Sequence, residues 1–173
     1  MPKKKTVPPL VAILMGSDSD LPVMSETAHM LKEFGIPFEL VISSAHRTPA
    51  RTAEFARAAA GRGIKVIVAG AGGAFHLAGV IAAETTLPVI AVPLAIPPLN
   101  GFDSLLAAVQ MPCGVPVGTM AVGKAGAVNA GIFCAQILAT SDESLRRKLE
   151  KHKKKMAQSV IEKSERAKKE FPS

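Results

Sequence analysis

Leu10-Val11-Ala12-Ile13-Leu14-Met15-Gly16-Ser17-Asp18-Ser19-Asp20, residues 10–20, is the stretch from which the fold can be read. An apolar run proceeds without alternation and stops at a glycine. A strand apolar on both faces must be covered on both faces, and that is the habit of parallel sheets. Small polar residues follow, and residues 20–34 then carry helical spacing as far as the stop at Gly35. The same order of strand, small polar loop and helix recurs along the chain. Residues 38–42, 65–69, 88–92 and 116–120 read as four more strands. Residues 49–60, 74–84, 103–110 and 124–139 read as helices, the last rich in alanine and expected to be buried on most sides. Residues 142–170 read as a long polar helix with a break.

Strands alternating with helices predict right-handed crossovers and an α/β three-layer sandwich. Its sheet is expected to be doubly wound, flavodoxin-like and parallel, followed by a C-terminal helical extension. The chain has 173 residues, enough for one domain with a substantial core. The division expected is a basic N-terminal tail over 1–9, an α/β catalytic domain over 10–140 and the helical extension over 141–173.

Composition removes several function classes. Aromatic residues are 4% of the chain, with no Trp and no Tyr, too few for a base-stacking platform. The net charge of +7 lies at the two ends: Lys3, Lys4 and Lys5 at one, and eleven basic against six acidic residues over 142–173 at the other. The body between them is close to neutral, so a solvated or subunit-facing helix is expected there rather than a nucleic-acid partner. No apolar stretch is long enough to span a bilayer, and no signal-peptide core follows the first lysines. Cys113 and Cys134 form no metal-ligand spacing and read as reduced thiols. A cytoplasmic protein with neither metal nor membrane partner is expected.

In a doubly wound sheet, ligands sit beyond the carboxyl ends of the strands, at the switch point of strand order. Three loops leave that edge. The first, residues 16–20, brings Ser17 as an anion ligand and Asp20 as a partner for sugar hydroxyls, unless these residues only cap the next helix. The second, residues 43–48, brings Ser44, His46 and Arg47. Thr48 reads as an N-cap and Pro49 as a first-turn proline, so His46 and Arg47 stand before a helix N-terminus that attracts anions. Arg47 adds a bidentate fork suited to phosphate. This positive setting favours a neutral imidazole at His46, which is a competent proton acceptor. The third, residues 70–76, brings Gly72, Gly73 and His76. Its G-x-G-G spacing fits neither a dinucleotide fingerprint nor a P-loop. Its glycines are expected to let the backbone press against a ligand ring, while His76 alone would read as a buried, hydrogen-bonded histidine.

With these residues stand five longer stretches: M-G-S-D-S-D (15–20), S-A-H-R-T-P (44–49), A-G-A-G-G-A-F-H-L-A-G (69–79), N-G-F-D-S-L-L-A-A-V-Q-M-P (100–112) and G-V-P-V-G-T-M-A-V-G-K-A-G-A-V-N-A (114–130). On these the chain resembles the PurE family of purine biosynthesis, the 5-(carboxyamino)imidazole ribonucleotide mutases. The resemblance implies an enzyme of the isomerase kind, moving a carboxyl group from an exocyclic nitrogen to ring carbon 4 through enclosed carbon dioxide, with no cofactor or metal. It implies that His46 transfers the proton, that Ser17, Asp20 and Arg47 bind the ribonucleotide, and that Ser44 with Gly72, Gly73 and His76 walls the imidazole and the carbon dioxide. It also implies a homo-octamer in which the alanine-rich helix packs tightly.

The chain departs from the family pattern in places. Leu21 stands where the family often has Trp, and His76-Leu77-Ala78-Gly79-Val80 where it often reads H-L-P-G-M. Ala95-Ile96-Pro97-Pro98 replaces a usually polar segment near Q-S-x-A. Two prolines stiffen that loop, and its apolar character is expected to affect pocket closure or substrate choice. Two other readings stay open: a direct carboxylase of aminoimidazole ribonucleotide, which His76 in its loop argues against, and a non-catalytic binder of a phosphorylated ligand, which would have no need of a titrating base at His46.

Overall fold

The computed structural model describes residues 7–171. These fall into two compact units divided after Cys134. Of the basic N-terminal tail expected over 1–9, residues 1–6, with Lys3 to Lys5, lie outside the described residues.

The first unit is built on five strands: β1 (Val11–Met15), β2 (Phe38–Ile42), β3 (Val66–Ala71), β4 (Val89–Pro93) and β5 (Gly118–Thr119). All pair in parallel, in the order β2-β1-β3-β4-β5. Between them run α1 (Leu21–Phe34), α2 (Pro49–Ala59), α3 (His76–Glu84) and α4 (Phe102–Val109). The expected doubly wound sheet is therefore what the chain forms. The unalternated strands β1 and β4 are buried along their whole length, and β3 up to its last residue. β2, at the edge, leaves Leu40 and Ile42 exposed.

The order reverses at β1, which lies between β2 and β3. The crevice beyond β1 and β3 is thus the switch point, where the loops after β1, β2 and β3 converge.

Four elements differ from the sequence reading. β5 is confined to Gly118–Thr119; Pro116, which has no N–H to give to a ladder, cannot extend it. α3 begins at His76 rather than at residue 74, because Gly73 (φ 62°) and Phe75 (φ 40°) both take the left-handed conformation just before it. The helix α5 (Lys124–Ala139) buries a stripe through Ala127, Ala130 and Cys134, while Lys124, Asn129 and Phe133 on its other side are exposed. Its close contact is with α1. Thr27 Oγ1 donates to Ala127 O at 2.7 Å, and a Cβ on Gly131 would stand 2.6 Å from the Cβ of Met30.

In the second unit, α6 (Glu143–Glu170) is one unbroken helix of 28 residues. The expected break is absent because no Gly or Pro interrupts residues 143–170. Asp142 starts it, its carboxylate accepting from Leu145 N–H at 3.0 Å. Met156, Val160 and Ile161 lie exposed on an otherwise charged surface.

Candidate active site

The loop after β1 is a short 3-10 turn over Asp18–Asp20, closed by a reciprocal capping box. Ser17 N–H donates to Asp20 Oδ2 at 3.1 Å, and Ser19 N–H donates to Ser17 Oγ at 3.3 Å. The capping role of these residues is therefore real; Asp20 Oδ1 also accepts from the Ser19 hydroxyl at 3.4 Å, while Ser17, Ser19 and Asp20 still line the crevice. Burial pushes the Asp20 carboxyl above its ordinary value of 3.8, while the N–H groups of Ser17 and Gly16, the Ser19 hydroxyl and the Arg47 guanidinium pull the other way.

The loop after β2 is braced from within. Ser44 Oγ accepts from Arg47 N–H at 3.2 Å. The Thr48 hydroxyl accepts from Ser44 N–H at 3.1 Å and lies 3.0 Å from Ser44 O. Thr48 occupies the expected N-cap position, yet its hydroxyl is turned back to Ser44 and caps nothing. The first turn of α2 is thus without a side-chain cap, and Arg47 stands directly before it. One arm of the Arg47 guanidinium donates to Gly16 O at 2.8 Å, joining the first loop to the second.

The loop after β3 carries His76 at the start of α3. Phe75, buried and left-handed, turns the chain sharply enough to aim the His76 ring back into the crevice. There His46 Nε2 and His76 Nδ1 are 2.6 Å apart, with the rings nearly perpendicular at 84°. A ring nitrogen can accept only with a bare lone pair, so this contact holds one proton and the accepting ring is neutral at that atom. His76, expected on its own to be buried, is instead exposed to the crevice and paired.

Ser17, Asp20, Ser44, His46, Arg47, Gly72 and His76 all line one cavity of about 360 Å³. Gly73 stands beside it, where its φ of 62° is needed for the turn. A second cavity of about 470 Å³ shares Gly16, Ser17, Ser44 and Arg47 with the first and continues past Thr48 to Arg51. The crevice therefore has two chambers. One holds hydroxyls, both arginines and the open helix end; the other holds both histidines among Ala45, Phe75, Leu77 and Ile96.

Two glycines of the third loop are also required by this chain's own packing. A Cβ on Gly70 would overlap the sulfur of Met24, and one on Gly72 would lie 3.1 Å from the Ile96 side chain. The pressing groups are this chain's own. Arg51 was not assigned to the site from sequence, and Ile96 only as part of the 95–98 loop expected to affect closure. Arg51 lies in the first turn of α2, beside the helix N-terminus that attracts anions, which is a legible signal once α2 is placed. Ile96 reaches the site only through the packing of the loop after β4. Among the described residues no group of three His, Cys, Asp or Glu side chains is placed to hold a metal ion, and no helix is long and apolar enough to cross a membrane.

The model of the family described as AIR carboxylase matches residues 10–159. This chain belongs to the AIR carboxylase family. Within it, the chain is 55% identical over 157 residues to the N5-carboxyaminoimidazole ribonucleotide mutase of Bacillus subtilis, covering 91% of this chain and 97% of that one. It is 54% identical over 158 residues to the protein of the same description from Thermotoga maritima, covering 91% of each. The crystal structure of Treponema denticola PurE superposes with a TM-score of 0.82 at 26% identity, over 95% of this chain and 99% of that one. The AIR carboxylase family match runs through every loop of the crevice and into α6.

Proposed function

We propose that the chain is a 5-(carboxyamino)imidazole ribonucleotide mutase of purine biosynthesis, an isomerase. Relatives more than half identical to this chain carry that description over nearly their whole length. The observation that carries the chemical reading is the His46–His76 contact of 2.6 Å, in a cavity that adjoins one lined by Arg47 and Arg51.

The substrate's phosphate belongs in the cationic chamber, against Arg47, Ser17 and the first turn of α2. Asp20 accepts from the ribose hydroxyls. The imidazole then extends into the other chamber, between Ser44 and the loop carrying Gly72, Gly73 and His76. The nitrogen–carbon bond of the carboxyamino group breaks, its electron pair returns to nitrogen, and carbon dioxide is released. That nitrogen takes one proton. Ring carbon 4 attacks the carbon dioxide, forms the new carbon–carbon bond and loses one proton. The two proton movements cancel, so one group that gives and then recovers a proton serves both; His46 is that group, with His76 holding the other end of the shared proton. Proton transfer of this kind contributes about 10²–10⁴ in rate. Holding carbon dioxide against the ring supplies an effective-concentration gain. No cofactor enters the scheme.

A homo-octamer in the cytoplasm is part of the same proposal. Leu40 and Ile42 on the edge strand β2, and Phe102, Leu106 and Val109 on α4, are exposed on the first unit and would be covered at subunit contacts. The functional division proposed is a catalytic domain over 10–140 and a helical extension over 141–173. Light scattering of the purified chain tests the subunit count; a monomer contradicts it. The activity is tested with His46→Asn, which should abolish turnover while ribonucleotide binding stays near wild type. Surviving turnover would contradict the proton path.

A further inference from the structure

We propose that Ile96 is the closing wall of the histidine chamber and sets how much carbon dioxide escapes between its release from nitrogen and its capture at carbon. The inference rests on the mutase reading and adds to it a residue that the chain's resemblance does not supply, since Ile96 falls where the family is usually polar.

The placement is built, not incidental. Leu94 N–H donates to Ala71 O at 3.0 Å, tying the start of the loop after β4 to the end of β3. The loop turns back on itself through Asn100 N–H, which donates to Ile96 O at 2.9 Å. The wholly buried Ser104 hydroxyl lies 3.1 Å from Leu94 O and 3.0 Å from Gly101 O, so one side chain pins both ends of the loop. Pro97 and Pro98 remove backbone freedom between those anchors. Ile96 is thereby laid across Gly72, where a Cβ would come within 3.1 Å of both its Cγ1 and its Cδ1. Gly72 and Ile96 are one fitted contact, and that contact lines the same cavity as His46 and His76.

Carbon dioxide carries no net charge, and nothing in the step holds it covalently. The nitrogen–carbon bond has returned its electrons to nitrogen, which takes a proton; the ring carbon has not yet attacked. In that interval retention depends on walls and on the exclusion of water. A branched apolar side chain at 96 suits this task, whereas a polar one would bring water to the opening. Ala45, Phe75 and Leu77 line the same cavity beside Ser17, Asp20, Ser44 and Arg47, and Ile96, 44% exposed, is the apolar side that the loop after β4 supplies at its mouth.

The test runs wild type, Ile96→Ala and Ile96→Leu on unlabelled carboxyaminoimidazole ribonucleotide in buffer equilibrated with ¹³C-bicarbonate and carbonic anhydrase. Mass spectrometry reads ¹³C in the product carboxylate and the yield of decarboxylated aminoimidazole ribonucleotide above the enzyme-free rate. Ile96→Ala should raise the labelled fraction roughly fivefold, equivalent to about 1 kcal/mol off the barrier to escape, and raise the decarboxylated yield in step. Ile96→Leu should return both toward wild type. Turnover by Ile96→Ala with no more label than wild type would overturn the proposal, as would lost turnover without a rise in label. Wild type forming no carboxylated product at all would sink the mutase reading itself and is thereby told apart from a failure at Ile96.

Discussion

His46 and His76 come from loops 30 positions apart and meet through ring nitrogens separated by 2.6 Å. The meeting is arranged by the backbone. β2 and β3 flank β1 in the sheet, so the loops that leave them face one another across the end of β1. The left-handed Phe75 turns the second ring inward. A group that gives a proton and then recovers it ends each turnover in its starting state, which suits a reaction whose proton count does not change.

Removal of either ring should therefore act on rate rather than on binding. His46→Asn is expected to lower turnover by about 10²–10⁴. His76→Ala leaves His46 without its partner, so a smaller loss of turnover is expected, together with a displaced pH–rate profile. Steady-state rates across pH check both. An unaltered profile in His76→Ala would mean that the contact has no part in proton transfer.

The cationic chamber predicts an effect of the opposite kind. Arg51→Ala should weaken ribonucleotide binding with little change in turnover at saturation, because Arg51 lines only the chamber away from the histidines. Charged hydrogen bonds to phosphate contribute about 1.5–3 kcal/mol, and an exposed arginine belongs at or below the lower end. Calorimetric titration with the ribonucleotide and with its nucleoside separates a phosphate contact from a sugar contact. Equal losses for both ligands would remove Arg51 from phosphate recognition.

Asp20 gives the pH prediction. Its carboxyl titrates above the ordinary 3.8 because burial disfavours the charge. Between the unfolded and folded values the folded chain holds more protons than the unfolded one. Stability must then fall as pH rises through that window, just above the ordinary carboxylate range. Asp20→Asn should flatten this part of the stability–pH curve and leave melting at neutral pH unharmed, while weakening ribonucleotide binding. Thermal melts of both proteins from mildly acidic to neutral pH check the slope. A steeper dependence in the variant would reverse the sign assigned here.

The α1–α5 contact predicts a purely structural effect. Gly131→Leu would force a side chain against Met30 and Thr27 O, where even a Cβ stands 2.6 Å and 3.0 Å from its nearest neighbours. Overpacking of this sort costs about 1–3 kcal/mol or more. Thr27→Val, which removes the donor to Ala127 O, should cost about 1 kcal/mol. Denaturant melts measure both, and a neutral Gly131→Leu would show that the helices can part without penalty.

Most of the fold is legible from the sequence because buried parallel strands are written in a direct code. The unbroken apolar runs of β1, β3 and β4 admit no other placement, and glycine marks the end of α1. The loops that make the crevice are legible for the same reason: once the strands are placed, topology decides which loops share an edge. What was not legible depends on contacts between side chains distant in sequence. His76 looks like a core histidine until the φ of Phe75 turns it into the crevice. Gly72 looks like a ligand cradle until Ile96 is found lying on it. The exposed side of α5, with Lys124, Asn129 and Phe133, looks buried in sequence because alanines and other apolar residues lie all round the helix and mark no single face.

The most direct test of the account compares two substrates for the wild-type protein in parallel, following product by ultraviolet absorbance. One is carboxyaminoimidazole ribonucleotide in carbon-dioxide-depleted buffer; the other is aminoimidazole ribonucleotide with high bicarbonate. Rapid conversion of the first with little of the second is the predicted result, since the carboxyl group then travels within a closed chamber. Conversion of the second alone would contradict it, and would make the protein a direct carboxylase whose apolar wall at Ile96 admits carbon dioxide from outside.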